Sequence, residues 1–377
     1  MKRYLSDLIA KDLDRKMVLV TGPRQVGKTT LCRQLMAQLQ PAQYLNWDVP
    51  ADRAILQNQS WSNRVRMLAI DEIHKRPEWK AFLKGIVDAK PEGQALMVTG
   101  SARMETWRQT GESLAGRYFA YRLHPISVRE WCDSQGVSAD QALEHLMTRG
   151  GFPEPCLAQT QEDADRWRRQ YFTDLIREDI PEFSRLHEIQ AMRLFLELLR
   201  ERVGSPLSLA SIARDLGVAP NTLKRYLDLL KALYVVFVIP PWHHNVARSI
   251  LQTPKVYFYD TGLVRGDPGL LFENAVACML LKHVQFMQDA KGKSIDLHYL
   301  RTRDGAEVDF AISQDNRLVA LIEAKLSDSA ASPALLRFAR SFPEAKAVQI
   351  VRDLRQEQDH SGVSIARAAD WLAGLSA

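Results

Sequence analysis

The 377-residue sequence is poor in cysteine: Cys32, Cys132, Cys156 and Cys278 lie far apart and no CxxC pair occurs. That spacing suggests neither a zinc site nor a disulfide framework and leaves buried free thiols as the reading. No apolar run approaches the roughly 18–20 residues of a membrane span. The opening MKRYLSDLIAKDLDRK is charged where a secretory leader needs an apolar stretch. A cytoplasmic chain with no membrane partner is expected. No internal repeat and no low-complexity tract is present, so solenoids and linker-like chains are set aside. A large surplus of one charge is missing too. Lys and Arg number 50 against 45 Asp and Glu, a net of +5, which permits nucleic-acid contact without demanding it.

What is present is an ordinary globular composition, 46% hydrophobic and 25% charged. At roughly 100–200 residues per domain, this length predicts two to three domains. From Met17 to about Pro125, short apolar runs alternate with helical patterns, the signature of an open, mostly parallel sheet. Strands are expected at 17–21, 42–47, 65–70, 95–100 and 117–123. Residues 126–200 read as mostly helical, covering and extending that core, with a Gly-Gly-Phe-Pro turn at 150–153. After Gly204-Ser205-Pro206 come two short helix patterns joined through Gly217–Pro220, a helix-turn-helix outline. The β-rich runs YVVFVIPPWHHN and KVYFYDTGL would then supply a wing. From about Leu263 the pattern becomes a long helix at 270–287 and strands near DLHYLR, AEVDFAI, LVALIEAKL and AVQIV, a third α/β unit.

The segment Gly22-Pro23-Arg24-Gln25-Val26-Gly27-Lys28-Thr29, followed by Thr30, matches GxxxxGK[ST] between a strand and a helix, the context this motif needs. The glycines let the loop curl so that backbone N–H groups and the helix N-terminus face phosphate. Lys28 would reach the β/γ-phosphates and Thr29 would meet Mg²⁺. The strand 65–70 ends in Asp71-Glu72. Asp71 suits the metal's shell and Glu72 suits polarising the attacking water. An acidic pair at a strand end is also often a solvated turn or a helix cap. Ser101, or else Thr99, could sense the γ-phosphate from the next strand, although such hydroxyls also cap turns. Arg117 could serve a neighbouring subunit's nucleotide as an arginine finger, or be a plain surface arginine.

GPRQVGKTT, AIDEIH, TGSARM and LAGR followed by HPISVREW resemble the AAA-type P-loop ATPase domain of a large bacterial and archaeal family whose C-terminal half is called DUF4143. The similarity runs the length of the chain. It implies an ATPase with sheet order 5-1-4-3-2, ring-forming relatives, and a sensor and arginine finger near the positions just named. The sequence has no clear second sensor arginine.

On the second helix of the helix-turn-helix, Asn221, Lys224 and Arg225 fall on the polar stripe and could meet DNA phosphates or guanine edges. Winged helices also serve as spacers and protein-docking modules. In the last third, Asp309 and Glu323-Ala324-Lys325 form a D-x13-E-x-K spacing. Alternation puts Glu323 and Lys325 on one face, and a hairpin would bring Asp309 beside them. Two carboxylates could then hold a divalent metal while Lys325 activates water, with Glu273 on the preceding helix as a further group. This set resembles the PD-(D/E)xK nuclease fold, with Val308 rather than Pro before Asp309. The alternative is a nuclease-like fold used only for binding. The adjacent His243 and His244 would face opposite ways on a strand and are assigned no metal.

The expectation is therefore an α/β protein: an AAA-type core with helical extension over 1–200, a winged helix over 201–262 and a PD-(D/E)xK-like domain over 263–377. ATP and Mg²⁺ are the expected cofactors, and DNA and further copies of the chain in a ring the expected partners. The first function is an ATP-driven DNA motor or remodeller. The second is a nucleotide-gated scaffold that binds a protein through its C-terminal half.

Overall fold

The computed structural model describes residues 1–100, 114–179, 186–243, 253–327 and 330–377. They divide into two compact units, Met1–His124 with Ala232–Tyr234, and Pro125–Lys231 with Val235–Ala377.

In the first unit, β1 (Met17–Thr21), β2 (Ala42–Asn46), β3 (Met67–Asp71), β4 (Ala95–Thr99) and β5 (Tyr118–Arg122) form one sheet. Its order is β2-β3-β4-β1-β5, the expected 5-1-4-3-2, and every pair is parallel. Met17, Leu19, Leu68, Ile70, Leu96 and Val98 pack with Leu56 of α3 (Pro50–Asn58) and with Leu83 and Ile86 of α4 (Trp79–Ala89). The alternate residues Val18, Val20, Ala69 and Met97 are buried as well. The helices α1 (Ser6–Leu13) and α2 (Lys28–Gln38) lie against β1, β3 and β4. Coverage of both faces is why β1, β3 and β4 read as nearly unbroken apolar runs. It also leaves the crevice at the C-terminal strand ends as the place for polar chemistry.

In the second unit, the helix-turn-helix spans Leu209–Leu216 and Pro220–Ala232, with Gly217 at φ 64° closing the first helix. Leu223, Tyr226, Leu227 and Leu230 bury one stripe of the second helix. The antiparallel hairpin β6 (Val236–Ile239) and β7 (Lys255–Phe258) follows. The long helix runs Pro268–Lys291. The last element is a mixed six-stranded sheet in the order β12-β13-β11-β10-β9-β8. Its strands are β8 (Ile295–Arg301), β9 (Glu307–Gln314), β10 (Arg317–Lys325), β11 (Lys346–Val351), β12 (Gln358–His360) and β13 (Val363–Arg367). The helix Pro333–Ser341, β12, β13 and the helix Ala368–Ala373 are additions that the sequence pattern does not announce.

The division into two units falls at neither expected boundary, 200/201 or 262/263, and residues from Pro125 onward, apart from Ala232–Tyr234, group with the second unit. Gly204, read as punctuation, is packed: at φ 72° an added Cβ would lie 2.6 Å from a Glu273 carboxylate oxygen. Past β6 the backbone pairs with β8, Trp242 N–H donating to Tyr299 O at 2.8 Å and Tyr299 N–H to Pro240 O at 3.1 Å. Buried Arg168, on the helix Gln161–Asp179, holds Asp260 at 2.8 Å. These ties join the helical stretch, the hairpin and the last sheet into one body.

Candidate nucleotide site and carboxylate cluster

The loop after β1 has the strained backbone that its glycines allow. Gly22 sits at φ 144° and Gly27 at φ 98°, and a Cβ on Gly22 would come within 2.4 Å of Leu123 O. Gln25 shares the left-handed region at φ 60°, and Lys28 opens α2. Lys28 is buried, and its ammonium donates to Gly22 O at 3.0 Å and Pro23 O at 2.6 Å. It therefore braces the loop from inside. Val26 is fully buried, while Gln25 and Thr30 are exposed and Arg24 and Thr29 half-buried. Sequence reasoning missed Arg3, whose buried guanidinium donates to Val26 O at 2.9 Å and also to His124 O.

At the end of β3, Asp71 is 5% exposed and held from four sides. It accepts from Thr29 Oγ1 at 3.2 Å, Tyr44 OH at 2.5 Å, Thr99 Oγ1 at 2.7 Å and the Glu72 amide at 3.0 Å. Thr99, weighed as a phosphate sensor, thus uses its hydroxyl to position Asp71. Ser101, the preferred sensor, lies outside the described residues. Glu72 turns the chain at φ 56°. Burial first, and the Asp71 charge second, raise its carboxyl above the usual range, against the pull of Lys75 and Lys28. A carboxylate so placed is a better base than a free one. Arg117 precedes β5, beside Met17 rather than Thr21 in the parallel register. It is at the sheet edge opposite the loop, about 17 Å of strand away. There it forms a two-pronged pair with Asp88, at 2.8 and 3.2 Å. It is not brought to its own chain's loop.

These residues fit nucleotide and metal. Gly22, where a Cβ would strike the Leu123 carbonyl, and Gly27 at the start of α2 keep the loop in the glycine-only path that leads into a helix N-terminus, the kind of end that takes an anion. The hydroxyl of Thr29 beside the Asp71 carboxylate is a hard-oxygen pair of the kind Mg²⁺ takes.

In the second unit, Glu273, Asp309, Glu323 and Lys325 do come together. Asp309 N–H donates to Glu323 Oε2 at 3.3 Å, Ala324 N–H donates to Asp309 Oδ2 at 3.0 Å, and Lys325 pairs with Glu323 at 2.8 Å. The centre of the cluster is a residue that sequence reasoning overlooked. The Lys255 ammonium, 1% exposed, lies 2.7 Å from Glu307, 3.4 Å from Glu273 and 3.8 Å from Asp309. Tyr257 OH donates to Glu273 at 2.7 Å, and Arg301 caps Glu307 at 3.1 Å. Alternation was the available signal: Lys255 and Tyr257 are two apart on β7, as Glu307 and Asp309 are on β9. Burial alone would lower the Lys255 pKa, but Glu273, Asp309 and Glu307 more than offset it and hold the ammonium charged. Burial, then Asp309, pushes Glu323 up to about 7. Among the described residues, no three His, Cys, Asp or Glu side chains are set to hold a metal ion. Glu273 and Asp309 are gathered with Glu307 on the Lys255 ammonium and Glu323 pairs with Lys325, so the set as arranged is neutralised by side-chain cations and does not fit a metal.

Asn221, Lys224 and Arg225 are exposed on one face of the recognition-type helix, with Arg225 3.4 Å from Glu188. The middle of the wing connection, residues 244–252 with His244, lies outside the described residues. No helix among the described residues is long and apolar enough to cross a membrane.

Three family models match in succession: an AAA domain over residues 14–132, a domain of unknown function (DUF8612) over 140–266, and another (DUF4143) over 268–370. The chain is 30% identical over 313 residues to "Uncharacterized protein Rv2008c" of Mycobacterium tuberculosis, covering 80% of this chain and 68% of that one. It is 22% identical over 406 residues to an "Uncharacterized protein" of Haemophilus influenzae, covering 98% of each. Among solved structures it is similar to the Walker-type ATPase PABY2304 of Pyrococcus abyssi, at 13% identity and TM-score 0.42 over 68% of this chain and 93% of that one. It is also similar to a point variant of Thermotoga maritima RuvB, at 18% identity and TM-score 0.34 over 62% of this chain and 87% of that one.

Proposed function

The chain belongs to the family of AAA-type P-loop ATPases with a C-terminal DUF4143 region, and on that premise we propose that it hydrolyses ATP with Mg²⁺ and couples turnover to DNA. The observation that carries the hydrolytic part is Asp71, fixed by Thr29, Thr99 and Tyr44 at the head of the glycine loop. Bound ATP with its metal supplies the phosphoryl group to be transferred to water. Lys28 and the loop amides bind the phosphates, Thr29 and Asp71 hold the metal's shell, and Glu72 takes the proton of the attacking water. Arg117, remote from its own loop, can contribute only from a neighbouring copy, which makes a homo-oligomeric ring part of the proposal. Phosphate release separates the roles. Lys28→Ala loses nucleotide binding, whereas Glu72→Gln binds ATP and turns over at least about a hundredfold more slowly. Glu72→Gln working at the parent rate would remove Glu72 from the mechanism.

Support for DNA is the exposed Asn221, Lys224 and Arg225 on one helix face. ATPase rates with and without single-stranded, double-stranded and branched DNA test it, and no stimulation by any form favours a nucleotide-gated scaffold for a protein partner. For the last domain, Lys255 seated among Glu273, Glu307 and Asp309 favours binding without cleavage.

A further inference from the structure

Away from both clusters, the second unit contains a cavity of about 650 Å³ walled by arginines from three segments. The helix Gln161–Asp179 contributes Arg168 and Arg169, the helix Leu186–Arg200 contributes Arg193 and Arg200, and Arg265 follows Leu263. Arg193, Glu197 and Arg200 recur at i, i+4 and i+7, so one stripe of that helix faces the space. Part of this charge is answered. Arg168 is buried against Asp260 at 2.8 Å and pairs with Asp165 at 2.9 Å. Glu197 is shared between Arg200 at 3.0 Å and Arg265 at 2.6 Å. Arg169 and Arg193 are exposed and pair with no carboxylate among the described residues. Among the described residues, five guanidiniums line the cavity against Asp165, Glu197 and the Asp260 behind Arg168, an excess of two positive charges.

The site is built rather than incidental. Arg168 is held in the wall by Asp260, and Gly262 passes so close to it that a Cβ there would lie 2.1 Å from the guanidinium carbon. Merely solvated arginines spread apart, whereas these converge from separate elements on a volume within the range of ligand sites. Several planar forks with net charge near +2 suit a phosphoryl group, which carries about −1.5 to −2 and accepts bidentate bonds. We infer that this cavity binds phosphate groups, either of a free di- or polyphosphate or of a nucleic-acid backbone, at a site distinct from the P-loop and the recognition helix.

The test uses the full chain with the P-loop silenced by Lys28→Ala in every protein compared. Pyrophosphate and a short duplex DNA are titrated against the parent, an Arg169→Gln/Arg193→Gln double variant, and Arg166→Gln. Arg166 lies on the same helix with its side chain 82% exposed and does not line the cavity. The double variant is expected to bind pyrophosphate about a hundredfold more weakly, two charge-assisted contacts being lost. For DNA its log–log salt slope should flatten by about 1.8. Arg166→Gln should match the parent. Loss for pyrophosphate alone identifies a free phosphate ligand, and loss for DNA alone identifies a phosphodiester. Equal binding of both probes by parent and double variant, with unchanged melting, overturns the inference, as does failure of the parent to bind either probe. Lys224→Gln/Arg225→Gln tests the recognition helix separately, so failure there leaves the pyrophosphate result standing.

Discussion

Replacing Lys255 with methionine tests whether the last domain carries its own cation in place of a metal. The side chain is 1% exposed and faces Glu307, Glu273 and Asp309 at 2.7, 3.4 and 3.8 Å. Methionine keeps most of the volume, so the change removes charge rather than packing. Breaking a buried ion pair from one side costs about 3–5 kcal/mol, because the partner charges stay behind. At roughly 2–4 °C per kcal/mol for a unit of this size, melting should fall by about 6–20 °C. Glu273 can recover part of the loss by taking up a proton, because burial already raises its pKa. The folded pKa of Glu273 then rises further above its unfolded one, so stability is lost as pH increases and the deficit should be larger at pH 8 than at pH 6. A divalent ion can refill the vacated position. With a Kd of about 0.1 mM, 10 mM Mn²⁺ would return about 2.7 kcal/mol. Thermal denaturation of parent and variant at both pH values, with and without Mn²⁺, reads all three effects. A parent stabilised by Mn²⁺ as strongly as the variant, or a variant as stable as the parent, would refute the reasoning.

Thr99→Val removes the 2.7 Å hydroxyl donor to Asp71 without changing shape. Turnover should fall about tenfold with ATP affinity nearly unchanged, checked by steady-state phosphate release against nucleotide titration. Arg117→Ala should lower turnover and spare ATP binding, and mixing it with Lys28→Ala subunits should restore part of the activity; a monomer of full activity would exclude the role in trans. Glu323, pushed up to about 7 by burial and Asp309, keeps its proton in the folded chain after the unfolded chain has released it. Stability should therefore decline as pH rises from about 4.5 to about 7 and then level. Glu323→Gln should flatten that decline in denaturant midpoints measured from pH 4.5 to 8.

The strands of the first unit were legible because all are local and the central β1, β3 and β4 are buried on both faces: 17–21 matched to the residue and the others within two. The phosphate loop was legible for a related reason, since its parts are contiguous and its glycines answer to backbone geometry. Less could be read where a contact joins distant segments. Gly204-Ser205-Pro206 has the composition of a linker, yet Gly204 takes a φ of 72° and lies packed against the Glu273 carboxylate. Thr99 is polar at the right edge of the sheet, but only the fold shows its hydroxyl turned to Asp71. The acids of the last domain announce themselves by spacing along two adjacent strands. Their counter-ion does not, because Lys255 stands on a different hairpin 54 residues before Asp309. Spacing reports which ligating groups a chain can bring together, and says little about what already neutralises them. The same carboxylates are metal ligands beside an empty position and structural anions beside a buried ammonium, so Lys255, more than the acids, is the residue whose removal tests whether this domain binds without cleaving.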